Sequence, residues 1–318
     1  MNGIDIPSDL TLLTAIKWAS GQLEGGLNSN PRLDSEIILA QVVGLNRINL
    51  YINFDQPLTS SEIQSFSDLI KRRILGEPVQ YLNGFTEFYG RSFKISPDVL
   101  IPRPETEILI DHVKAFLVKK VNNSPEKPAI QVDLFNPGPL QTENPVTIVD
   151  IGTGSGIIAL TLFSELSNLR CYATDVSAAA LLIAQENAIA LDIYDRITFM
   201  QGPFMGPLES ILENDCDLII SNPPYIVRSE ISQLPIEIRE FEPLVALDGG
   251  EDGLECYTEM IEVAPRFLKT GGMLAFEIGA DQAEDIISLL NKNSLYINIE
   301  VIKDYNHLNR VVSAIFSG

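Results

Sequence analysis

Residues 146–156 read VTIVDIGTGSG. Six mostly apolar, β-branched residues predict a short buried strand, and the glycines that follow predict a sharp turn into a helix from about Ile157. Glycine lets the backbone turn tightly and lets a ligand approach with no Cβ in the way. The amides that open the next helix favour an anion or a carboxylate. A dinucleotide fingerprint G-x-G-x-x-G begun at Gly152 would need a glycine where Ile157 stands, and the spacing here is G-x-G-x-G. The pyrophosphate reading is weakened. A small-cofactor site, a plain structural turn and another nucleotide site all stay open.

Working outward, strands and helices alternate after residue 145. CYATDV (171–176), ITFMQ (197–201), CDLIISN (216–222), GMLAFEIG (272–279), INIEVIKD (297–304) and RVVSAIF (310–316) read as six further strands. Helices are expected over SAAALLIAQENAIAL, DGLECYTEMIEVAPRFLK (252–269) and 281–292, with a long polar loop after residue 222. Strands separated by helices of this length imply an α/β fold with a doubly wound, mostly parallel seven-stranded sheet. The short link between the last two strands implies that one of them runs antiparallel.

Upstream, residues 1–80 predict a small helical bundle. Ser8 is placed to cap DLTLLTAIKWASGQL, Pro31 to open a helix that stops at Gly44, and a Ser/Thr cap with Glu62 to open TSSEIQSFSDLIKRRIL. GFTEFYGRSFKIS, within 81–100, reads as a β-hairpin linking this bundle to the domain over 101–318. Pro102 and Pro104 set the entry to a helix after IPRPETE. Residues 121–145 carry five prolines and little periodicity, which marks an inserted surface loop.

Composition narrows the function classes. At 318 residues the chain suits about two domains. A net charge of −21 lacks the basic footprint of a nucleic-acid binder, so no stable nucleic-acid binding is expected. Cys171, Cys216 and Cys256 lie far apart with no CxxC, and only His112 and His307 are present, so neither a metal site nor a disulfide framework is expected. The start MNGIDIPSDL has no basic region and no apolar run, and no stretch reaches the length of a membrane span. A cytoplasmic, monomeric protein is the expectation.

Two further constellations carry chemistry. Asp175, 19 residues beyond Gly156 at a strand tip, can accept both hydroxyls of a ribose. Ser221-Asn222-Pro223-Pro224-Tyr225 follows the fourth strand, where ligands of open α/β sheets bind. Two prolines stiffen this backbone and remove two N–H donors. Asn222 can offer its side-chain oxygen and Pro223 its carbonyl to the two hydrogens of an NH2 group, and Tyr225 offers a flat face to a planar amide or base.

Together DIGTGSG, Asp175 and NPPY resemble an S-adenosylmethionine-dependent methyltransferase acting on a planar nitrogen. With GEPVQYL (76–82), LIPRPETE (100–107), REFEPLVALDGGEDGL (239–254) and FEIG (276–279), the chain is similar to the peptide chain release factor N5-glutamine methyltransferases. The resemblance covers most of residues 30–318. It implies a Rossmann-like class I methyltransferase whose bundle positions a release factor and whose substrate is the glutamine of the GGQ loop. Carried over, Gly152, Thr153, Gly154, Ser155 and Gly156 would line the methionine part of the cofactor, Asp175 the ribose and Phe204 the adenine. Asn222 would touch both cofactor and substrate; Pro223, Pro224 and Tyr225 would complete the glutamine pocket, with Arg103 in its wall. Asn222, Pro223 and Tyr225 would carry the catalysis. Pro203 stands where the family usually has an acidic residue. The competing readings are glutamine methylation of a ribosomal protein, adenine-N6 methylation of RNA or DNA, and a non-catalytic cofactor-binding docking module.

Overall fold

The computed structural model describes residues 6–26, 30–123 and 145–318; most of the Pro-rich stretch read at 121–145 lies outside them. The chain divides into two compact units, one of Met1–Thr86 with Leu234–Glu242, the other of Glu87–Gln233 with Pro243–Gly318.

The first unit is helical: α1 (Leu12–Leu23), α2 (Pro31–Val43), α3 (Arg47–Ile52), α4 (Ser60–Ile74) and α5 (Val79–Asn83). Its core includes Leu12, Ile16, Leu39, Phe66 and Ile70. The first helix starts later than the sequence suggested: Thr11, not Ser8, caps it, because Thr11 and Thr14 form a reciprocal capping box. Thr59 and Glu62 cap α4 in the same way, as expected. Two short helices, α3 and α5, were not foreseen, being too brief to show a period. Arg73 is buried and ion-paired with Asp34 at 2.7 Å and with Glu237 at 2.7 Å, which ties residues 234–242 to the bundle.

A hairpin of β1 (Phe85–Phe88) and β2 (Arg91–Lys94) forms as expected, and α6 (Thr106–Asn123) follows. The second unit then builds β3 (Val146–Ile151), α7 (Ile157–Glu165), β4 (Leu169–Asp175), α8 (Ala178–Ala190), β5 (Ile197–Gln201) and β6 (Cys216–Ser221). The expected loop after β6 carries short 3-10 turns and the one-turn helix α9 (Ile236–Arg239), which belongs to the first unit. The chain closes with α10 (Glu255–Val263), β7 (Leu268–Glu277), α11 (Ala283–Lys292), β8 (Tyr296–Lys303) and β9 (Asn309–Phe316). The helix read through residue 269 stops at Val263. Pro265 cannot donate to a continuing ladder, a 3-10 turn takes over, and Leu268 already pairs with Cys216.

The seven strands lie in the order β5-β4-β3-β6-β7-β9-β8. All neighbours are parallel except β9, antiparallel to both β7 and β8, as the short last connection implied. The chain enters at β3, winds outward through β4 and β5, then returns to β6 and winds the other way. Every residue of β3 is buried, and its side chains alternate between two cores. Ile148 packs with α6 and α7 residues such as Leu109, Val113 and Leu160; Val149 and Ile151 pack with Met260 and Phe276 on the opposite face. Each such side chain contributes roughly 1.5–3 kcal/mol by leaving water.

One buried side chain ties the hairpin to the glycine turn. Asn187 of α8 accepts from the Lys94 N–H through Oδ1 at 2.7 Å, and its Nδ2 donates to the carbonyls of Lys94 and Ser155, both at 2.9 Å. Asn187→Ala should destabilise the protein by about 2–3 kcal/mol, since it strands buried backbone groups. Urea unfolding of the two proteins measures it, and a loss below about 0.5 kcal/mol would contradict this role.

Candidate active site

The site grows from three parallel strands that end side by side. Beyond β3 the chain turns through Gly152, Thr153 and Gly154, and the N–H groups of Gly152 and Thr153 both donate to the Thr174 carbonyl at 2.9 and 3.0 Å. Gly152 and Gly154 have φ of +68° and +57°, and a Cβ built on either would meet nothing within 4 Å. They border open space that side chains would fill. Gly156 serves the turn differently: it has φ of +84°, precedes α7, and a Cβ there would press on Leu160 and Ala184 at 2.8 and 3.2 Å.

Two carboxylates hold the turn. Asp150 is fully buried; its Oδ2 accepts from the Thr153 hydroxyl at 2.7 Å and from the Ala159 N–H at 3.3 Å, while Oδ1 has no partner among the described residues. Burial pushes its carboxyl up to about 6. At the tip of β4, Asp175 accepts from the Gly154 N–H (2.9 Å) and the Ser177 N–H (2.9 Å), and burial raises its pKa too.

A cavity of about 300 Å³ lies over these strand ends. Gly152, Thr153, Gly154 and Ser155 line one side, with Asp175. Pro203 and Phe204 line another; Phe204 has φ of +46°, and its carbonyl accepts from the Thr174 hydroxyl at 2.9 Å. Asn222, Pro223, Pro224 and Arg103 complete the set that the structure brings together. Gly156 and Tyr225 are not in the lining. Tyr225 packs against the core around Tyr257 and Phe276, with Glu277, Arg310, Arg103 and Glu105 as its charged neighbours, and burial raises its pKa.

The backbone after Asn222 is clamped. Gln282 donates from Nε2 to the carbonyls of Tyr225 (3.0 Å) and Gly253 (3.1 Å). Gly249 and Gly253 approach so closely that a Cβ on either would sit 2.8 and 2.6 Å from the Tyr225 backbone. This accounts for the glycines of LDGGEDGL. Sequence reasoning passed over Gln282, and also Thr106, which lines the cavity and accepts from Asn222 Nδ2 at 3.3 Å. For Thr106 the signal was its place in PRPETE; for Gln282 there was none.

Among the described residues no group of three or more His, Cys, Asp and Glu side chains could hold a metal ion, and no helix is long and apolar enough to cross a membrane. The cavity instead offers a glycine-walled cradle, one carboxylate at a strand tip, an aromatic side chain and a polar amide. That set fits a nucleoside cofactor carrying an amino-acid tail.

The human methyltransferase 10 domain containing protein has a similar fold, with a TM-score of 0.50 at 17% identity over 80% of this chain and 98% of that one. The fold and strand order are those of the Rossmann-like class I methyltransferase fold. Residues 14–84 match the PrmC N-terminal domain and residues 138–237 the methyltransferase small domain. The release factor glutamine methyltransferase of Moorella thermoacetica is 38% identical over 93% of this chain and 95% of its own length; that of Chlorobaculum tepidum is 38% identical over 89% and 90%. The chain belongs to the release factor glutamine methyltransferase family.

One buried acid at the site has a measurable signature. Glu277, at the end of β7, is pushed from 4.5 up to about 7 by burial, despite a hydrogen bond from Thr106. A raised carboxyl pKa means that the folded state holds the proton more tightly than the unfolded chain. That contribution is complete below about 4.5 and is lost as pH rises through about 7. Relative to Glu277→Gln, the wild-type protein should therefore lose on the order of 3 kcal/mol across this window. Urea unfolding of both at pH 5 and pH 8 tests the sign, and a difference that does not change with pH would refute it.

Proposed function

We propose that the protein transfers a methyl group from S-adenosylmethionine to the side-chain amide nitrogen, N5, of the glutamine in the GGQ motif of peptide chain release factors. The observation that carries this reading is the orientation of Asn222. Its Nδ2 is engaged by Thr106, which leaves Oδ1 as the acceptor end of the amide, and Asn222 and Pro223 line the same cavity as the glycine turn. The names of the family's curated members support both the substrate and the glutamine.

The residues present fit the cofactor. Gly152–Ser155 would hold its methionine portion, Asp175 the ribose hydroxyls and Phe204 the adenine face, with Gly156 keeping the turn packed. Bound there, S-adenosylmethionine supplies a methyl group on a cationic sulfur that departs as a neutral thioether. What the chain supplies is placement. Asn222 Oδ1 and the Pro223 carbonyl would accept the two hydrogens of the glutamine amide and aim its nitrogen along the line of displacement, with Pro224 and Arg103 bounding the substrate.

An amide nitrogen is a poor nucleophile because its lone pair is delocalised. Orientation of bound reactants can supply about 7–11 kcal/mol. Acceptors aimed at N–H groups that turn positive during the reaction add to this. As the C–N bond forms, the N–H becomes acidic, so one of its protons can pass to solvent water without a strong base. The net charge of −21 disfavours a nucleic-acid acceptor, for which phosphate contacts need Lys and Arg.

Labelled S-adenosylmethionine, the purified protein and an unmethylated release factor, followed by peptide mass mapping, test the reading. One added methyl on the GGQ glutamine is expected; label on a ribosomal protein or an RNA instead would overturn the substrate. Asn222→Ala should slow transfer by about 10²–10³-fold, the usual cost of losing one preorganised hydrogen-bonding group, with little change in cofactor affinity. Near-normal turnover would sink the amide cradle. Asp175→Ala should act in the opposite sense, weakening cofactor binding by at least about tenfold in equilibrium dialysis, as expected for lost hydrogen bonds to the ribose.

A further inference from the structure

Beside Asn222 lie two buried side chains, Thr106, which reaches the cavity wall, and Glu277, which does not. Thr106 opens α6 fully buried, and its hydroxyl both accepts from Asn222 Nδ2 at 3.3 Å and bonds to the Glu277 carboxylate. Glu277 is 2% exposed, and its Oε2 has no partner among the described residues. Sheet register explains how they meet. Ser221 pairs with Phe276, so Asn222 and Glu277 are the next residues at the carboxyl ends of two adjacent parallel strands.

The proton count gives this chain a direction. Above about pH 7 Glu277 is a carboxylate, which only accepts, and a threonine hydroxyl has a single proton to give. If that proton goes to Glu277, the Thr106 oxygen is left as an acceptor towards Asn222. Asn222 must then turn its NH2 to Thr106 and its Oδ1 to the cavity. We propose that Glu277, acting through Thr106, is a positioning residue that locks the Asn222 side chain with its oxygen facing the acceptor amide. This rests on the reading of Asn222 as the acceptor of the substrate's N–H groups. Without the lock the Asn222 amide could flip and present donors to a donor.

The isolation of Glu277 argues in the same direction. A buried carboxylate with an unpartnered oxygen costs stability, and a neutral side chain of the same shape would pack at lower cost. Its charged neighbours are Arg103 and Arg310, which favour the carboxylate, and Glu105, which opposes it; Tyr225 stands alongside. If protonated, Glu277 could donate to Thr106, whose own proton could then turn towards Asn222 and reverse the amide.

Three variants test the lock. Thr106→Val should lower kcat by about tenfold or more, the worth of a hydrogen bond within a charged network, with the KM for S-adenosylmethionine within about twofold of wild type. Thr106→Ser, which keeps the hydroxyl, should restore most of the rate. Glu277→Gln offers Thr106 a donor as well as an acceptor, so it should slow turnover while unfolding no earlier than wild type at pH 8. Because the residues act in series, the double variant should be no slower than the slower single one. A merely structural role would instead lower stability in parallel with rate, and independent roles would multiply. Near-normal turnover in Thr106→Val overturns the proposal.

The amide signals of Asn222 keep the two readings separable. If the wild-type protein labels no release factor, the substrate assignment falls, and the lock is judged on the side-chain 15N–1H2 resonances of Asn222, assigned with Asn222→Asp. They should shift in Thr106→Val and hold in Thr106→Ser; an unshifted signal in Thr106→Val overturns the lock.

Discussion

Parallel pairing of β3 with β4 on one edge and β6 on the other is the constraint on which the rest of this structure depends. Parallel strands cannot be joined by tight turns, so each connection must leave the carboxyl end and cross a face of the sheet to re-enter below; α7, α8 and α10 do so as helices, and the link from β5 to β6 does so as an irregular segment with one 3-10 turn. At β3 the winding reverses, and the segments leaving β3 and β6 part to opposite faces. The gap between them is where an open α/β sheet has room for a ligand. The glycine turn and Asn222 flank that gap because the topology leaves them no other place.

Acidic groups at three strand ends then do similar work. Asp150 near the end of β3, Asp175 at the end of β4 and Glu277 at the end of β7 each bind an N–H or O–H from a neighbouring segment: Thr153 and Ala159, Gly154 and Ser177, and Thr106. Irregular backbone over a sheet edge has no ladder to satisfy it, and a carboxylate offers several lone pairs in one place. The cost is electrostatic. Burial pushes all three upward, and Asp150 is raised further by the charge of Asp175. A fold that accepts such a cost at one end of the sheet, while its two cores hold ordinary apolar side chains, gains loops whose backbone groups stay where a ligand needs them.

Much of this was legible in the chain. VTIVDI and CDLIIS are mostly apolar runs because both faces of a central parallel strand are covered, and such runs followed by glycine or proline announce themselves. The turn and Asp175 were legible because strand tips follow from strand ends. Less visible were contacts made across the chain. Asn222 and Thr106 are 116 residues apart, so neither periodicity nor spacing points to their bond. Tyr225 was read as a face of the pocket because it follows two prolines, yet the clamp from Gln282, Gly249 and Gly253 holds its backbone while its side chain packs towards Tyr257 and Phe276. Local errors had local causes: the reciprocal box of Thr11 and Thr14 outcompeted Ser8, and Pro265 ended a helix whose apolar period ran on.

The clamp bears on how the proposed transfer, which calls for no strong base, can work. A chemistry that relies on placement is only as good as the rigidity of the acceptors, since a displacement of about 1 Å can cost 10²-fold in rate. Two prolines remove backbone freedom at 223 and 224, and the hydrogen bond from Gln282 and the close approach of Gly249 and Gly253 fix the backbone beyond them. What those devices leave undetermined is the amide of Asn222, whose two ends have the same shape and opposite hydrogen-bonding sense. Packing cannot distinguish them. Only a neighbour of defined polarity can, and a buried carboxylate acting through one hydroxyl is a minimal way to provide it.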